Sequence, residues 1–527
     1  MQACPLHIEA MKLVKAMATV GGLTAVSRVA GFVRDILTAA VLGAGPIADA
    51  FFVALKLPNF FRRVTAEGAF SVSFVPLYSE ALEKEGRESA DNFAGNAMVI
   101  MFWILLVFTI VMMIAMPAVI MLLAPGFSDD PTTERFDLAV TLSRITFPYL
   151  LMMSIAALMG GVLTAHGRFA PFAGAPILFN VALIGVLLVA WKFQTAAHAL
   201  AWGVMIAGVL QFVLLYIYIR REKIKLPLAR PKFDGRIKRL FQLMGPGVLG
   251  AGVMQINLFA DMIMGSFLPT GSISYLYYAD RLNQLPLSTV GIAVGTALLP
   301  MLSRAIGAGR TEEAKGLFNR ALETVLFLGL PAAMALLILA DIIIEVLFVR
   351  GKFDMADASV TAFVLQGYAI GLPAYIAVKV YSTAFFSQQD TMTPVKVSIA
   401  VATSNIVLAL ILIQYIGVAG IALATGIVGW MQIGLLAWLL RRNPAMQIDE
   451  RFRKGLPRIL ISTGLMAAAL FALKIPLAGW TEGDTFHKDI ALAIFVVAGG
   501  AVYGISALAT GAIKMQDIRQ FLTKGPK

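Results

Sequence analysis

Long apolar runs recur from one end of this chain to the other, and they restrict its fold more than any other feature. An α-helix needs about 20 mostly apolar residues to cross the hydrocarbon core of a bilayer. The 527 residues are 59% hydrophobic and 14% charged, which is far outside the composition of a soluble domain. We therefore predict an all-α polytopic membrane protein with fourteen transmembrane helices.

The first two predicted spans differ from the others because glycine, proline and charged residues interrupt them. They cover residues 12–42 and 46–80. The other twelve spans are more uniformly apolar and lie near residues 93–123, 136–165, 170–191, 196–219, 238–268, 273–305, 317–347, 357–387, 394–414, 418–440, 456–476 and 489–512.

Loop charges predict the orientation of these spans. Lys and Arg are concentrated in segments 220–239 and 441–458, which both follow even-numbered spans, whereas loops 124–135 and 477–488 contain few cations. Cationic loops mark the cytoplasmic side, so we expect both termini in the cytoplasm. The net charge of +12 is explained by these loops, and no nucleic-acid partner is predicted.

An internal repeat divides the chain into two similar halves. The sequence Asp49–Pro58 is echoed by Tyr277–Pro286, and Phe74–Arg87 by Leu298–Arg310. Six spans separate the copies, so both halves enter the membrane in the same direction, as in transporters whose site lies between parallel repeats. The predicted segments are an N-terminal extension (1–11), an N-lobe (12–220), a basic cytoplasmic linker (221–237), a C-lobe (238–441), two further helices (442–513) and a cytoplasmic tail (514–527).

Charged residues are concentrated at membrane depth within the first two spans. A charge at the bilayer centre costs roughly 2.5–3.5 kcal/mol on insertion scales, so such residues normally face a cavity or the protein interior. We predict that this stretch forms the polar wall of a transport cavity. Its charged residues are Arg28, Arg34, Asp35, Asp49, Lys56, Arg62, Arg63 and Glu67.

The cations of this stretch indicate an anionic ligand, because guanidinium groups suit carboxylate and phosphate. Arg28 and Arg34 lie about 240° apart on a straight α-helix, unless Gly31 bends it. The alternative for both is snorkelling to a membrane interface. Pro58 predicts a kink or break in the second span, and Arg62 and Arg63 could instead hold lipid headgroups at the cytoplasmic rim.

The second half supplies further candidates. Asp280 and Arg281 occupy the place that matches the first charged stretch, where they form either part of an anion site or a structural ion pair. Lys379 is an isolated cation within span ten. Asp261 and Asp390 are isolated carboxylates that would serve as cation ligands or as partners of nearby arginines.

The sequence predicts no metal site and no cofactor site. The four histidines, at positions 7, 166, 198 and 487, lack metal-ligand spacing. Gly245–Gly250 matches a dinucleotide-binding pattern literally, but it lies in an apolar span with no preceding strand. The single cysteine, Cys4, excludes a disulfide within the chain.

Several motifs resemble those of the MurJ (MviN) family of lipid II flippases. They are SRVAGFVRD, ADAFFVALKLPNFFRR, AEGAFSVSFVP, YYADRL and QDTMTP. The resemblance runs from about Met11 to the end, and it implies the two-lobe fold of the multidrug/oligosaccharidyl-lipid/polysaccharide exporter superfamily. Two added C-terminal helices would form a groove for the polyprenyl tail.

The resemblance also implies a function and residue roles. The protein would move lipid II, the undecaprenyl-pyrophosphate-linked peptidoglycan precursor, across the inner membrane for cell-wall synthesis. Arg28, Arg34 and Arg281 would bind the pyrophosphate, with Arg62 as a further cavity cation. Other positions that match functionally sensitive charges of the family are Asp49, Lys56, Glu67 and Lys379.

Two positions depart from the family pattern. Gln284 stands where some relatives have an acidic residue, and Phe386 stands where a polar cation ligand would be wanted. Coupling to membrane potential, Na⁺ or H⁺ is therefore left open. We expect a monomer in contact with membrane lipids, with cell-wall synthesis proteins as candidate partners.

Three other functions compete with this one. The protein could export drugs or another lipid-linked oligosaccharide, since the superfamily fold is shared. A polyprenyl-phosphate enzyme would need a metal-binding acidic cluster or a positioned base, for which Asp129 and Asp130 are the only candidates. A scaffold for cell-wall enzymes would leave the intramembrane charges unexplained.

Overall fold

A computed structural model describes residues 5–63, 70–128, 134–228, 230–481 and 485–513, which are almost entirely helical. In these ranges the only β-bridge pairs Arg350 with Phe353. The helices are α1 Pro5–Leu42, α2 Pro46–Phe61, α3 Ser71–Glu85, α4 Arg87–Ile114, α5 Met116–Leu123, α6 Arg135–Thr146, α7 Tyr149–Ala165, α8 Ala170–Leu187, α9 Ala196–Arg221, α10 Gly235–Met254, α11 Ile256–Ser266, α12 Ser272–Gly307, α13 Thr311–Ile338, α14 Ala340–Phe348, α15 Met355–Phe386, α16 Met392–Ile416, α17 Ala419–Leu440, α18 Glu450–Lys474, α19 Ala478–Thr481 and α20 Thr485–Ala509.

Within the described ranges, ten helical segments are long and apolar enough to cross a membrane. They correspond to predicted spans three to six and nine to fourteen, which confirms an all-helical polytopic membrane protein. Predicted spans one, two, seven and eight are α1, α2–α3, α10–α11 and α12, the first two spans of each half. Charges, prolines or breaks interrupt these helices, so the full count of fourteen stays a prediction.

The described residues form two compact units. The first contains residues up to Ser274 together with Arg350–Phe353, and the second contains Tyr275–Val349 and the residues from Asp354 onward. The first unit therefore includes α10 and α11 in addition to α1–α9. This division falls later in the chain than the linker at which the sequence repeat places the boundary between lobes.

A cluster of stacked aromatic side chains is buried in the first unit. Phe74 stacks on Phe70, Tyr78 and Phe93, with ring centroids 5.0, 5.8 and 5.5 Å away. Phe74 and Tyr78 are fully buried, and such pairs add to the gain from removing apolar surface from water. This aromatic cluster joins α3 to α4.

A polar network caps this aromatic cluster. The Tyr78 hydroxyl donates to Asp91 and lies 3.0 Å from His166 Nε2. The other Asp91 oxygen accepts a hydrogen bond from the main-chain N–H of Lys225 at 3.1 Å. The loop after α7 and the segment after α9 are thereby both attached to α3 and α4.

Acidification is expected to weaken this network modestly. Burial lowers the pKa of His166 below its ordinary value of 6.5, so the unfolded chain binds a proton more readily than the folded one. Stability should therefore fall as the pH drops below about 6.5 and be retained above it. Thermal unfolding of purified protein between about pH 5 and 8 should show a smaller decline for His166→Gln; an equal decline would contradict this assignment.

The second unit depends on close helix packing through glycine. An ideal Cβ at Gly371 on α15 would lie only 2.5 Å from Gly426 Cα on α17, and one at Gly367 would lie 2.9 Å from the Leu423 nitrogen. Small residues allow helices in membranes to approach this closely. The helices α15 and α17 therefore pack backbone against backbone.

Alanine at Gly371 is expected to destabilise the protein by about 1–3 kcal/mol, because overpacking forces backbones apart. The matched control is Gly434→Ala on α17, where an added Cβ meets nothing within 4 Å. Thermal unfolding in detergent should separate the two variants. Equal melting temperatures would show that the α15–α17 contact adjusts without cost.

The last two long helices belong to the second unit and pack on other helices of it. Met466, Leu470 and Phe495, from α18 and α20, share a buried cluster with Ile338 and Leu339. Two polar contacts add to this packing: the Tyr503 hydroxyl donates to the Phe327 carbonyl at 2.6 Å, and Lys488 Nζ lies 2.9 Å from Glu345 Oε2. Consequently α18 and α20 are held against α13 and α14.

Candidate functional site

Arg34 lies on α1 with its guanidinium group buried in the first unit. Its Nε and Nη2 donate to Asp35 Oδ1 at 3.1 and 2.6 Å, and its Nη1 donates to Asn180 Oδ1 at 2.9 Å. The guanidinium carbon also lies 5.7 Å from the centroid of the Phe179 ring. Three groups thus fix the orientation of this cation, and Asp35 is its ion-pair partner.

The helix α1 runs unbroken through Gly31, so Arg28 and Arg34 lie on different sides of it. Arg28 is half-buried. Asn180 Nδ2 donates to the Ser27 carbonyl at 2.9 Å, and an ideal Cβ at Gly31 would contact the Asn180 side chain at 3.5 Å. Asn180 on α8 therefore links the surroundings of both arginines, although its sequence context gave no sign of this role.

The cations of α2 lie in a more open environment. Lys56 and Arg62 are half-buried, Arg63 is exposed, and Arg62 Nε donates to Asn59 Oδ1 at 3.2 Å. The helix continues through Pro58 and ends at Phe61, three residues beyond the proline. Glu67, the remaining candidate of this stretch, lies outside the described residues.

Asp49 differs from the other candidates because its carboxylate is occupied by protein groups. It is 1% exposed and accepts hydrogen bonds from Gly271 N at 2.7 Å, Ser274 N at 2.9 Å and Ser274 Oγ at 2.6 Å. These donors belong to the first turn of α12 and the residue before it, where a carboxylate is favoured by the helix dipole. Asp49 is therefore a helix cap in this structure.

Sequence reasoning missed the partners of Asp49. The stretch Pro269–Ser274, with proline, glycine and two serines, has the composition of a helix start, so the beginning of α12 could have been found. Its contact with a carboxylate more than two hundred positions earlier could not, because nothing local encodes that pairing.

A second contact seats residues 350–353 on the end of α1. Lys352 N donates to the Ala40 carbonyl at 2.8 Å. An ideal Cβ at Gly351 would lie 2.1 Å from Ala40 O, and one at Gly43 would lie 2.7 Å from Lys352 O. Both glycines have positive φ, +62° and +73°, which other residues rarely adopt. We call segments 266–274 and 350–353 the two latch segments.

The first latch segment has further attachments in the first unit. Gly126 N donates to Ser266 Oγ at 3.1 Å, and Phe259, on the helix that leads into the segment, packs on Phe60 with ring centroids 4.3 Å apart. Arg135 is buried, with its guanidinium carbon 4.9 Å from the centroid of the Phe127 ring. The latch segments therefore seat on the end of the first unit that contains the α1–α2 connection.

Arg281 and Asp280 lie on α12 in the second unit. The Arg281 guanidinium lies 4.7 Å from the centroid of the Tyr277 ring, an arrangement in which the ring face attracts the cation. Asp280 accepts a hydrogen bond from Gln284 Nε2, one helical turn later. The amide at position 284 can donate to Asp280, which a carboxylate at that position would not do.

Lys379 stands out on α15, most of whose residues are buried, because its side chain is exposed. Its Cγ lies 3.5 Å from an ideal Cβ at Gly291, so the apolar stem packs on α12 while the ammonium group is accessible. This is the combination expected of a membrane-depth cation that faces water or a ligand.

The two candidate cation ligands lie in different units. Asp261 is half-buried on α11 in the first, whereas Asp390 precedes α16 in the second. Asp390 Oδ1 accepts a hydrogen bond from Thr393 N at 2.9 Å, and hydrogen bonds from Thr393 hold the pKa of Asp390 below its usual range. Asp390 therefore caps α16. No group of three or more His, Cys, Asp or Glu residues in the described ranges could hold a metal ion.

The structure thus distributes the predicted site over both units. Arg28, Arg34, Lys56 and Arg62 belong to the first, and Arg281 and Lys379 belong to the second. Each unit contributes cations on its own helices, and the first contributes one cation, Arg34, that is oriented by a buried carboxylate and an amide.

The chain is similar in sequence to a family of known proteins. A family model described as lipid II flippase MurJ matches residues 38–490. A probable lipid II flippase MurJ of Rhizobium meliloti (strain 1021) is 40% identical over 525 residues, covering 98% of this chain and 97% of the relative. The lipid II flippase MurJ of Burkholderia cenocepacia is 35% identical over 443 residues, 83% of this chain and 85% of the relative.

Solved structures agree with these sequence matches. A lipid II flippase MurJ in an inward closed conformation superimposes with a TM-score of 0.77 at 27% identity, covering 93% of this chain and 97% of the other. A multidrug resistance MATE family transporter of the MOP superfamily, in an inward-facing conformation, gives a TM-score of 0.67 at 15% identity over 78% of this chain and 93% of the other. The second likeness concerns the fold alone.

Proposed function

The chain belongs to the MurJ family of lipid II flippases, and from this premise we propose how its residues carry the substrate. The protein is a transporter, and lipid II is its substrate. We propose that it moves lipid II from the cytoplasmic to the periplasmic leaflet of the inner membrane by alternating access. The family match over most of the chain is the observation that supports this proposal.

The proposed anion site consists of Arg28, Arg34, Arg62 and Arg281. A pyrophosphate loses its hydration shell on entering a membrane protein, and several guanidinium groups offset that cost through charge-assisted hydrogen bonds. Arg34 supports this role because Asp35 and Asn180 hold its guanidinium in one orientation. Lys379 and Lys56 add positive charge to this site. Glu67 is a further charged residue that we propose to be functionally sensitive.

The membrane topology that we propose has fourteen spans with both termini in the cytoplasm. Segments 220–239 and 441–458 then lie on the cytoplasmic side, and the α1–α2 connection lies on the periplasmic side. The helices α18 and α20 of the second unit would hold the polyprenyl tail. We propose that the protein works as a monomer and meets cell-wall synthesis proteins as partners.

In this topology the two latch segments close the periplasmic end of the first unit, where α1 connects to α2. Release of Asp49 from Gly271 and Ser274, and of Lys352 from Ala40, is the proposed step that opens this end to the periplasm. The energy source would be membrane potential, Na⁺ or H⁺. One charge moved through 100 mV is worth about 2.3 kcal/mol. The membrane potential can therefore help to return the empty carrier, whose cavity is cationic, after lipid II has been released.

The test is the periplasmic exposure of lipid II in cells depleted of this protein. A membrane-impermeant enzyme that cleaves lipid II reports the exposed fraction. We expect exposure to collapse while total lipid II rises, and we expect plasmid-borne protein or its Lys192→Ala variant, altered at an exposed loop cation, to restore it. Unchanged exposure in depleted cells would favour export of another lipid-linked oligosaccharide or of drugs.

A further inference from the structure

The segment between α9 and α10, described at residues 222–228 and 230–234, lies directly on α4. Asn96 exchanges two hydrogen bonds with the main chain of Lys232: Asn96 Nδ2 donates to Lys232 O at 2.7 Å, and Lys232 N donates to Asn96 Oδ1 at 2.9 Å. An ideal Cβ at Gly95 would lie 2.5 Å from Pro227 O. The segment is therefore held in place by its backbone, which leaves its side chains available.

The start of α10 is anchored to the same surface. The Arg236 guanidinium lies 2.5 Å from Glu85 Oε1 and 5.5 Å from the centroid of the Phe93 ring. Ile237 and Leu240 are buried. The early part of α10 is thus packed on α3 and α4.

Residues 223–228 and 230–241 also carry exposed apolar groups and positive charge. Leu228 is 78% exposed and Phe233 is 74% exposed, and Phe233 stacks on Phe241 with ring centroids 6.3 Å apart. The exposed cations here are Lys223, Lys225, Arg230, Lys232, Lys238 and Arg239; of these, Arg239 lies 3.7 Å from Glu80 Oε2.

The acidic residues of the segment do not cancel this charge at the surface. Glu222 pairs with Arg168 at 2.9 Å. Asp234 Oδ1 accepts hydrogen bonds from the main-chain nitrogens of Arg236 and Ile237 at 3.0 and 2.8 Å, which caps α10. We call the exposed apolar and cationic side chains of residues 223–228 and 230–241 the basic shelf.

The position of the basic shelf identifies its surroundings. Helix α9 is one of the helices long and apolar enough to cross a membrane, and it ends at Arg221, so the segment begins at the membrane surface. Exposed Phe and Leu beside Lys and Arg characterise elements that lie in the interface of an anionic membrane. Lys and Arg near such a surface are attracted by its negative potential.

We propose that the basic shelf is a preformed docking surface for anionic phospholipids, with Leu228 and Phe233 inserted among the headgroups. Because Asn96, Asp91 and Glu85 already fix the segment, little conformational entropy is lost when it binds. The shelf thereby attaches the first unit to the membrane surface independently of any transported lipid.

The test uses full-length protein in vesicles without lipid II. In a Cys4→Ser background, Phe233→Cys is labelled with an apolar fluorophore, and a nitroxide on the lipid headgroup serves as quencher. Vesicles contain phosphatidylcholine alone or an equal mixture with phosphatidylglycerol. We expect quenching to be roughly twofold stronger in the mixture, since attraction scales with surface charge. The label control is Glu312→Cys, an exposed acidic position at the start of α13.

The charge variants make the test specific. Combined Lys223→Gln, Lys232→Gln and Lys238→Gln should abolish the difference between the two vesicles, whereas Lys→Arg at the same positions should preserve it. The Asn96 contacts involve only the main chain of Lys232, so both variants should fold, which size-exclusion chromatography checks. Equal quenching in both vesicles would overturn the proposal. So would a label that is shielded from the quencher only when a soluble protein fraction is added.

Discussion

Alanine in place of Arg34 is expected to abolish lipid II translocation and also to reduce the amount of folded protein. The guanidinium of Arg34 and the carboxylate of Asp35 form a buried pair, with side-chain exposures of 11% and 5%. Removing one member of a buried pair strands the other charge, which costs about 3–5 kcal/mol. Complementation of a depleted strain, together with membrane protein levels, measures both effects.

The double variant Arg34→Ala/Asp35→Asn separates the two roles of Arg34. If the arginine serves only to neutralise Asp35, removal of both charges restores function. We expect the double variant to restore protein levels and to remain inactive, because the anion site still lacks its oriented cation. Arg28→Ala and Arg281→Ala should lose function with near-normal levels. Full activity of all these variants would eliminate the proposed pyrophosphate site.

Asp49→Ala is expected to open the end of the first unit at which the latch segments seat. It removes the only carboxylate seen to bond Gly271 N, Ser274 N and Ser274 Oγ within the described residues. Each buried donor left without an acceptor costs about 1–3 kcal/mol, so the seated arrangement should lose several kcal/mol relative to the open one. Ser274→Ala deletes one of these bonds and should have a smaller effect.

Thiol labelling measures this opening. In a Cys4→Ser background, Ser272→Cys lies in the first turn of α12, where Ser272 is buried. A membrane-impermeant thiol reagent added to intact cells should react faster with the Asp49→Ala variant than with the Asp49 parent. Asp49→Asn, which keeps an acceptor oxygen, should be intermediate. Identical labelling rates would show that Asp49 does not control access to this end.

Local patterns predicted the helices but not their partners. The lengths of the apolar runs located ten helices, because a hydrophobic span is encoded by residues that are neighbours in the sequence. The pairing of Arg34 with Asp35 was accessible for the same reason. Asn180 and Ser274 were not, because each meets its partner only after the chain has folded over many spans. A lone polar residue in an apolar helix does not disclose which helix it will face.

The same limit explains the different environments on α2. Asp49, Lys56 and Arg62 looked alike in sequence, as charges within one apolar stretch. The structure buries Asp49 under the start of α12, whereas Lys56 and Arg62 are half-buried. Their cost at membrane depth predicted that each needs a polar environment. This energetic cost does not indicate whether the polar partner of each residue is a protein group or the substrate.

The predicted lobes and the compact units differ in one respect. Sequence symmetry suggests a boundary at the basic linker, yet α11 packs on the first unit through Phe259 and Ser266. A sequence repeat reflects similarity between two segments, whereas compact units reflect contacts made after folding. The predicted lobes and the observed units therefore describe different properties of the chain.

The contact between residues 350–353 and α1 is made largely by peptide groups: Lys352 N bonds Ala40 O, and Gly351 and Gly43 bring the two backbones together. Peptide groups neither titrate nor exchange counterions, and salt screens them far less than it screens exposed charges. In the proposed topology this contact faces the periplasm. Unlike the contact of Asp49 with Gly271 and Ser274, it would hold equally well in acidic, alkaline, dilute or saline surroundings.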